Sequence, residues 1–484
     1  MSAPWVREEM KTADLNDKRL NDRLGELLTQ FSDRPTASIP AACGGYAEMA
    51  AAYRFFDNEK VTFDDILASH REATSRRIAA QPRVILAQDT TELDLTRPDA
   101  QVAGAGPLDE GARRGALLHV VQAFTPDGTP LGSVAAEAWT REDDSPAKNR
   151  KQTPIEEKES QRWVDGLRVA QQVARDTPGT QIICVADSEA DIFEVLVEAQ
   201  AAPRSADWIV RACHDRALDA KTGQNGGENA AAAHSLFEQV AAQEVLFTQT
   251  ITVRGRNPKV SCETRGRRQA RVSRKAEVEV RAARVVLRPP YRRDRKLPGI
   301  DVNAVLVREI DPPPGEEPIE WLLLTSLPID TADAVRAVIQ TYTVRWMIEV
   351  FFRTLKSGCR IEERRFEKLP RLLNCLAAYL IVAWRTLYVC RLGRSCPDIS
   401  CEAVFEPAEW KAVYRVVRGT MPPQAPPNLQ TMVRMVAQLG GYVNKPRGDD
   451  PGPQTVWLGL ARAHDFALCW QLFGPEATRE CELV

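Results

Sequence analysis

Two short apolar runs, VILAQD ending at Asp89 and IICVAD ending at Asp187, limit the fold more than any other feature of the chain. Continuous apolar runs of this length suit strands buried on both faces, as in a sheet covered by helices. The surrounding segments agree. GALLHVVQAF and PLGSVAAEAW flank Pro126-Asp127-Gly128 and read as a hairpin. A helix is expected around Trp163 to Ala174, and WIVRAC at Trp208 supplies a further strand. Strand, hairpin, helix and strand in that order describe an α/β core with a mixed sheet.

Both ends of the chain read as helical. Leu20, Leu24, Leu27, Leu28 and Phe31 recur at helical spacing behind Asn16 or Asp17 as N-cap, and YAEMAAAYRFFDN follows the turn-like CGG at Cys43. Toward the other end, LLNCLAAYLIVAWRTLYVC is apolar nearly all round, which implies a deeply buried helix. PPQAPP at Pro422 reads as a rigid turn before a last helical unit. From about 213 to 320, ITVRGR, AEVEVRAARVVLR and DVNAVLVREI alternate as half-exposed strands do. Arg265, Arg267, Arg268, Arg271, Arg274, Lys275, Arg292, Arg293, Arg295 and Lys296 crowd into that stretch, and a cluster so dense is expected to meet a polyanion.

At 484 residues the chain is expected to divide into two to four domains. Its eleven cysteines form no C-x-x-C pair and suit reduced, buried thiols, and its five histidines show no H-E-x-x-H pattern. Carboxylates are left as the ligands of any metal, which favours a hard cation such as magnesium. Runs such as VILA and WLLL fall short of a membrane span, and the polar N-terminus has no secretory core, so a cytoplasmic protein is expected. The net charge of −2 does not exclude DNA, because local clustering sets the field a phosphate feels.

A long helix is expected from about Thr331 to Ser357, closed by Gly358 as its C′ residue. At about 100° per residue, Tyr342, Arg345, Glu349 and Lys356 fall within roughly a 60° arc along about 21 Å of it. Trp346 and Arg353 lie beside that line, and Val344, Ile348, Phe351 and Leu355 face the other way. Alone, such a row is in most helices a ladder of surface ion pairs. With two strand-end aspartates beside it, the row becomes a candidate phosphoryl-transfer site, able to hold two divalent cations about 3.5–4 Å apart.

The spacing Y342-x-x-R345-x-x-x-E349-x-x-x-x-x-x-K356 resembles the signature of the Tn-five-like (IS-four) DDE transposases. QDTTEL at Asp89, DSEAD at Asp187, AAYRFFDN, PPPGEEPIEWLLLTS and QLGGY also resemble segments of that family, from about Trp5 to Trp470. The resemblance implies a ribonuclease-H-like catalytic core over 71–370, with a β-rich subdomain inserted at 213–320. It implies a helical DNA-end-recognition domain over 1–70 and a helical dimerisation domain over 371–484. Asp89, Asp187 and Glu349 match the metal ligands, with two Mg2+ per site and Mn2+ as a substitute. Tyr342, Arg345 and Lys356 match phosphate contacts, Trp321 the tryptophan that stacks a flipped base, and Arg353, Arg211, Arg54, Lys18 and Arg19 further DNA contacts. The implied reaction is nicking, hairpin formation, hairpin opening and joining to target DNA by a homodimer, in a bacterial cytoplasm and on the nucleoid.

Ser188 and Phe352 depart from the family pattern, at the position after the second aspartate and three after the glutamate. Neither is a metal ligand. A nuclease without strand transfer, or a decayed DNA-binding inhibitor, would share much of this sequence. Trp321 disfavours the first, and the full set of carboxylates with an intact N-terminal region disfavours the second.

Overall fold

The computed structural model describes residues 3–97, 99–109, 112–143, 153–201, 206–219, 235–253, 272–292, 296–444 and 450–475. Five helices come first: α1 Pro4–Glu9, α2 Lys18–Asp33, α3 Ile39–Cys43, α4 Tyr46–Phe56 and α5 Phe63–Ala79. Strands β1 Arg83–Asp94, β2 Gly106–Pro107, β3 Arg114–Phe124 and β4 Pro130–Trp139 follow. Next come α6 Gln161–Asp176, β5 Gln181–Ala186, α7 Phe193–Gln200, β6 Asp207–Arg211 and α8 Leu236–Ala241. Strands β7 Phe247–Val253, β8 Arg274–Leu287, β9 Ile300–Glu309 and β10 Glu320–Thr325 lead to α9 Ala332–Val344, α10 Trp346–Arg353 and α11 Leu369–Ser395. Helices α12 Pro407–Arg418, α13 Leu429–Leu439 and α14 Pro453–Phe473 end the chain's described part.

These elements form two compact units, one of Pro82–Asp89 with Asp144–Arg345, the other of Met1–Gln81, Thr90–Asp143 and Trp346–Val484. The chain passes from one to the other within β1 and again after Arg345.

In the first unit, β1 runs parallel to β5 from Arg83↔Gln181 to Ala87↔Val185, and β5 runs parallel to β6 from Ile183↔Asp207 to Ala186↔Val210. Val84 to Ala87 and Ile182 to Ala186 are all buried, as their unbroken apolar runs require. Strand β10 then pairs antiparallel with β6, and β9, β8 and β7 continue the antiparallel series. The alternating stretch foreseen as an inserted β-rich subdomain thus extends the core sheet edge to edge. Its basic character is also partly spent internally. Arg274 is paired with Glu309 at 2.5 Å and Arg292 with Glu194 at 2.8 Å, whereas Lys275 and Lys296 are exposed. Arg265, Arg267, Arg268, Arg271, Arg293 and Arg295 lie outside the described residues.

In the second unit the expected hairpin is present, with β3 and β4 antiparallel across a turn in which Gly128 adopts φ +83°, a conformation that favours glycine. Asp17 proves to be the N-cap of α2, its carboxylate accepting from the Arg19 N–H at 2.9 Å. Leu24, Leu27, Leu28 and Phe31 are fully buried, and Phe31 stacks on Tyr379 of α11 at 4.8 Å. Helix α11 is the deeply buried helix its apolar character implied. By length and apolarity it could cross a membrane, but most of it is buried among α2, α5, β4 and α13 of its own unit.

A buried ionic group ties α1 to α5 in this unit. Glu9 accepts from His70 Nδ1 and from Arg77, each at 2.6 Å, and the backbone N–H of Ser133 donates to His70 Nε2 at 3.1 Å. With Nε2 accepting from Ser133, Nδ1 is the nitrogen that presents a proton to Glu9. Burial pushes the Glu9 carboxyl up, but His70 and Arg77 together hold it below the ordinary value. A depressed carboxylate contributes stability above its unfolded value of 4.5, and that contribution is lost as pH falls through the lower folded value. Glu9→Ala is expected to cost about 3 kcal/mol at pH 7 by stranding its buried partners. The deficit relative to wild type should shrink toward pH 3 in denaturant titrations; a deficit independent of pH would contradict the pairing.

Candidate active site

Asp89 and Asp187 belong to the same unit, and the strand register brings them level. Ala87 pairs with Val185, so Asp89 on β1 and Asp187, the first residue after β5, each lie two positions beyond a paired residue. The preceding Gln88 points the other way and donates to the Trp163 carbonyl at 3.4 Å. Neighbouring strands lie about 4.8 Å apart, a separation that one cation can bridge between two carboxylates. Strand β5 stops at Ala186 because Asp187 caps a single 3-10 turn, its Oδ1 accepting from the Glu189 N–H at 2.8 Å. That bond fixes the direction of the carboxylate. The donors at this point are oxygens only, which suits a hard divalent ion.

Arg345 supplies the positive charge now facing Asp89. Its Nη1 lies 3.2 Å from Asp89 Oδ2, with the two side chains only 11% and 13% exposed. A carboxylate so withdrawn from water needs a counter-charge. Tyr342 lies beside Arg345, and its ring meets that of Trp321 at 5.9 Å. Burial raises the Tyr342 phenol above its usual range, with nearby Arg345 and Arg211 pulling it down and Asp187 pushing it up. The phenol is therefore neutral at physiological pH. Trp321 and Arg211 are half-buried. Asp89, Asp187, Arg211, Trp321, Tyr342 and Arg345 are thus gathered in one unit.

Glu349, Arg353 and Lys356 belong to the other. The expected single helix is α9, with Thr331 as its N-cap, then α10, then a π-helical turn over Thr354–Gly358. The wider π turn moves Lys356 off the phase that an unbroken α-helix would give it relative to Glu349 and Arg353. Gly358 is not the C′ residue, because Arg360 takes the left-handed conformation at φ 51°. A Cβ at Gly358 would lie 3.0 Å from the Trp457 ring, so glycine is there for close packing. Glu349 is half-buried and Arg353 exposed. Lys356 donates to the Glu92 carbonyl and lies 3.6 Å from Glu362, whose carboxylate accepts from the Asp94 N–H at 3.0 Å. Phe352 is buried, 6% exposed, so the departure from the family pattern there serves the core. Lys18, Arg19 and Arg54 are exposed on α2 and α4.

Sequence reasoning passed over Asp191, which is 2% exposed and meets the loop after β6. It closes the DSEAD segment, but the resemblance gave a role only to the aspartate that opens it.

Family models match three stretches in series: transposase DNA-binding over residues 2–61, transposase DDE domain over 159–384, and transposase Tn5 dimerisation domain over 381–469. Together with the mixed sheet, they define a DNA-cleaving and DNA-joining enzyme on a ribonuclease-H-like α/β fold. The chain belongs to the Tn5-like family of DDE transposases. With that family come divalent metal use, DNA as partner and dimerisation. The DDE match includes Asp187 and Glu349 and begins after Asp89, whose place rests on the register with β5. Among solved structures, the chain is similar at 9% identity and TM-score 0.36 to a piggyBac transposase in a cryo-EM synaptic complex with hairpin DNA, over 81% of this chain and 72% of that one.

Proposed function

We propose that the protein is a cut-and-paste transposase that frees its element through a DNA hairpin and joins the 3′ ends to target DNA. The observation that carries this reading is the level pair Asp89 and Asp187, with Arg345 held against Asp89. Those two aspartates, with Glu349 from the family pattern, are the proposed ligands of two Mg2+ ions, for which Mn2+ can substitute. When bound, such a pair activates the attacking oxygen and stabilises the leaving one. The residues do the rest. Arg345 offsets the charge of Asp89 until DNA arrives, then turns to a phosphate beside the scissile bond, with Tyr342 restraining its guanidinium. Lys356 binds a second phosphate, and Arg353 and Arg211 extend the basic track.

A water first cuts one strand and exposes a 3′-hydroxyl. That hydroxyl attacks the opposite strand, forming one phosphodiester as another breaks, and closes a hairpin whose displaced base stacks on Trp321. Hydrolysis reopens the hairpin, and the 3′-hydroxyl then attacks target DNA. Lys18, Arg19 and Arg54 on the N-terminal helices are the proposed contacts to the element's end, and two copies hold the paired ends.

The test is cleavage of a duplex that carries the inverted repeat bordering the gene together with flanking DNA beyond it. A species carrying both strands covalently joined should appear on a denaturing gel before the blunt end does. Joined products without that species would overturn the hairpin route. Arg345→Ala and Lys356→Ala should each lower the slope of log affinity against log salt by about 0.9, the share of one phosphate contact. An unchanged slope would place both outside the DNA interface.

A further inference from the structure

Asp191 ends the same short turn that Asp187 begins, and its surroundings are built rather than incidental. Its Oδ2 accepts from the backbone N–H groups of Cys213 at 2.8 Å and His214 at 3.0 Å. Its Oδ1 accepts from Arg216 Nε at 3.1 Å and Nη2 at 2.6 Å, and its own carbonyl accepts from Arg216 Nη2 at 2.7 Å. The carboxylate is fully buried and the Arg216 side chain 12% exposed.

The Cys213 thiol and the His214 imidazole approach closely enough for the three residues to suggest a soft-metal site. The hydrogen bonds decide against that. A carboxylate offers about four acceptor positions, and Asp191 has given all four to protein donors. A metal would have to strip a buried carboxylate of two amides and a guanidinium.

What the saturated carboxylate does is join two strand ends. Ala186 pairs with Val210, so β5 and β6 finish side by side, one leading into Asp187 and the other into Arg211. Four residues past Asp187, Asp191 grips the segment that follows Arg211. The turn 187–191 and the segment 211–216 are therefore fixed to each other at one buried point.

We infer that Asp191, clamped by Arg216, is a positioning residue that holds the Asp187 carboxylate and Arg211 at the spacing metal binding requires. This rests on the proposed role of Asp187. Asparagine at 191 keeps the shape but turns an NH2 group toward donors, either the two amides or the guanidinium, so one side of the clamp must open.

The test titrates Mn2+ into the full chain by electron paramagnetic resonance, for wild type, Asp187→Ala, Asp191→Asn and Arg216→Lys, with melting temperatures alongside. Asp191→Asn should weaken Mn2+ binding by about tenfold in a protein that still melts cooperatively, and Arg216→Lys, which keeps one donor, should fall between. Weaker binding in proportion to a lost folded fraction, with the remaining sites at wild-type affinity, would mean a merely structural role and overturn the inference. Wild-type affinity in both folded clamp variants would overturn it as well. Should Asp191→Asn not fold, Arg216→Lys alone decides. If Asp187→Ala also binds Mn2+ as wild type does, the reading of the metal site fails rather than the clamp alone.

Discussion

Alanine at Asp89, Asp187 or Glu349 should reduce first-strand cleavage by about a thousandfold or more, while affinity for the element's end changes by less than about threefold. Losing a metal ligand removes several kcal/mol of charge stabilisation from the transition state, and about 4 kcal/mol corresponds to three powers of ten. End binding survives because its proposed contacts, Lys18, Arg19 and Arg54, lie on α2 and α4, away in sequence from the three carboxylates. Asp89→Ala carries an additional signature. It leaves Arg345, 11% exposed, without the carboxylate 3.2 Å away, so this variant should also lose thermal stability. Single-turnover cleavage and gel-shift titration measure the two effects separately. Cleavage within tenfold of wild type in any one variant would remove that residue from the site.

Trp321→Ala should act on one step. Stacking of an extruded base on an aromatic ring contributes about 1–3 kcal/mol, so hairpin closure should slow by roughly 5- to 150-fold. First-strand nicking precedes the displacement of that base and should change by less than about threefold. Trp321→Phe, which keeps a stacking face, should recover most of the loss. Equal slowing of both steps would mean that Trp321 serves only to support Tyr342, with which its ring is in contact at 5.9 Å.

The parts of this site that were legible in sequence are those where one side chain type has one place to go. VILAQD and IICVAD had to be buried strands, and both are, side by side and in register. Thr331 read as the start of a helix, and its hydroxyl caps that helix by accepting from the Ala334 N–H at 3.1 Å. The hairpin at Gly128 was legible for the same reason. What sequence concealed is pairing over distance. Alternation marked β7, β8 and β9 as strands, but not that their partner would be the edge of the core sheet. The arginines at 274 and 292 looked available to a polyanion, and only the fold brings Glu309 and Glu194 to them. The π turn at Thr354–Gly358 has no side-chain signature, since it differs from an α-helix only in which carbonyl each amide meets. Asp191 stayed hidden because its value lies in amides more than twenty residues away.

The proposed sharing of metal by Asp89, Asp187 and Glu349 can be tested on the polypeptide itself. Fe2+ substituted into the protein–DNA complex, with ascorbate and peroxide, generates hydroxyl radicals that cut the polypeptide beside the ion. Fragment masses should place the cuts at the end of β1 near Asp89, at the turn beginning with Asp187, and in α10 near Glu349, all suppressed by excess Mg2+. Cuts confined to other segments, or cuts at these three that Mg2+ does not suppress, would contradict a three-carboxylate metal site.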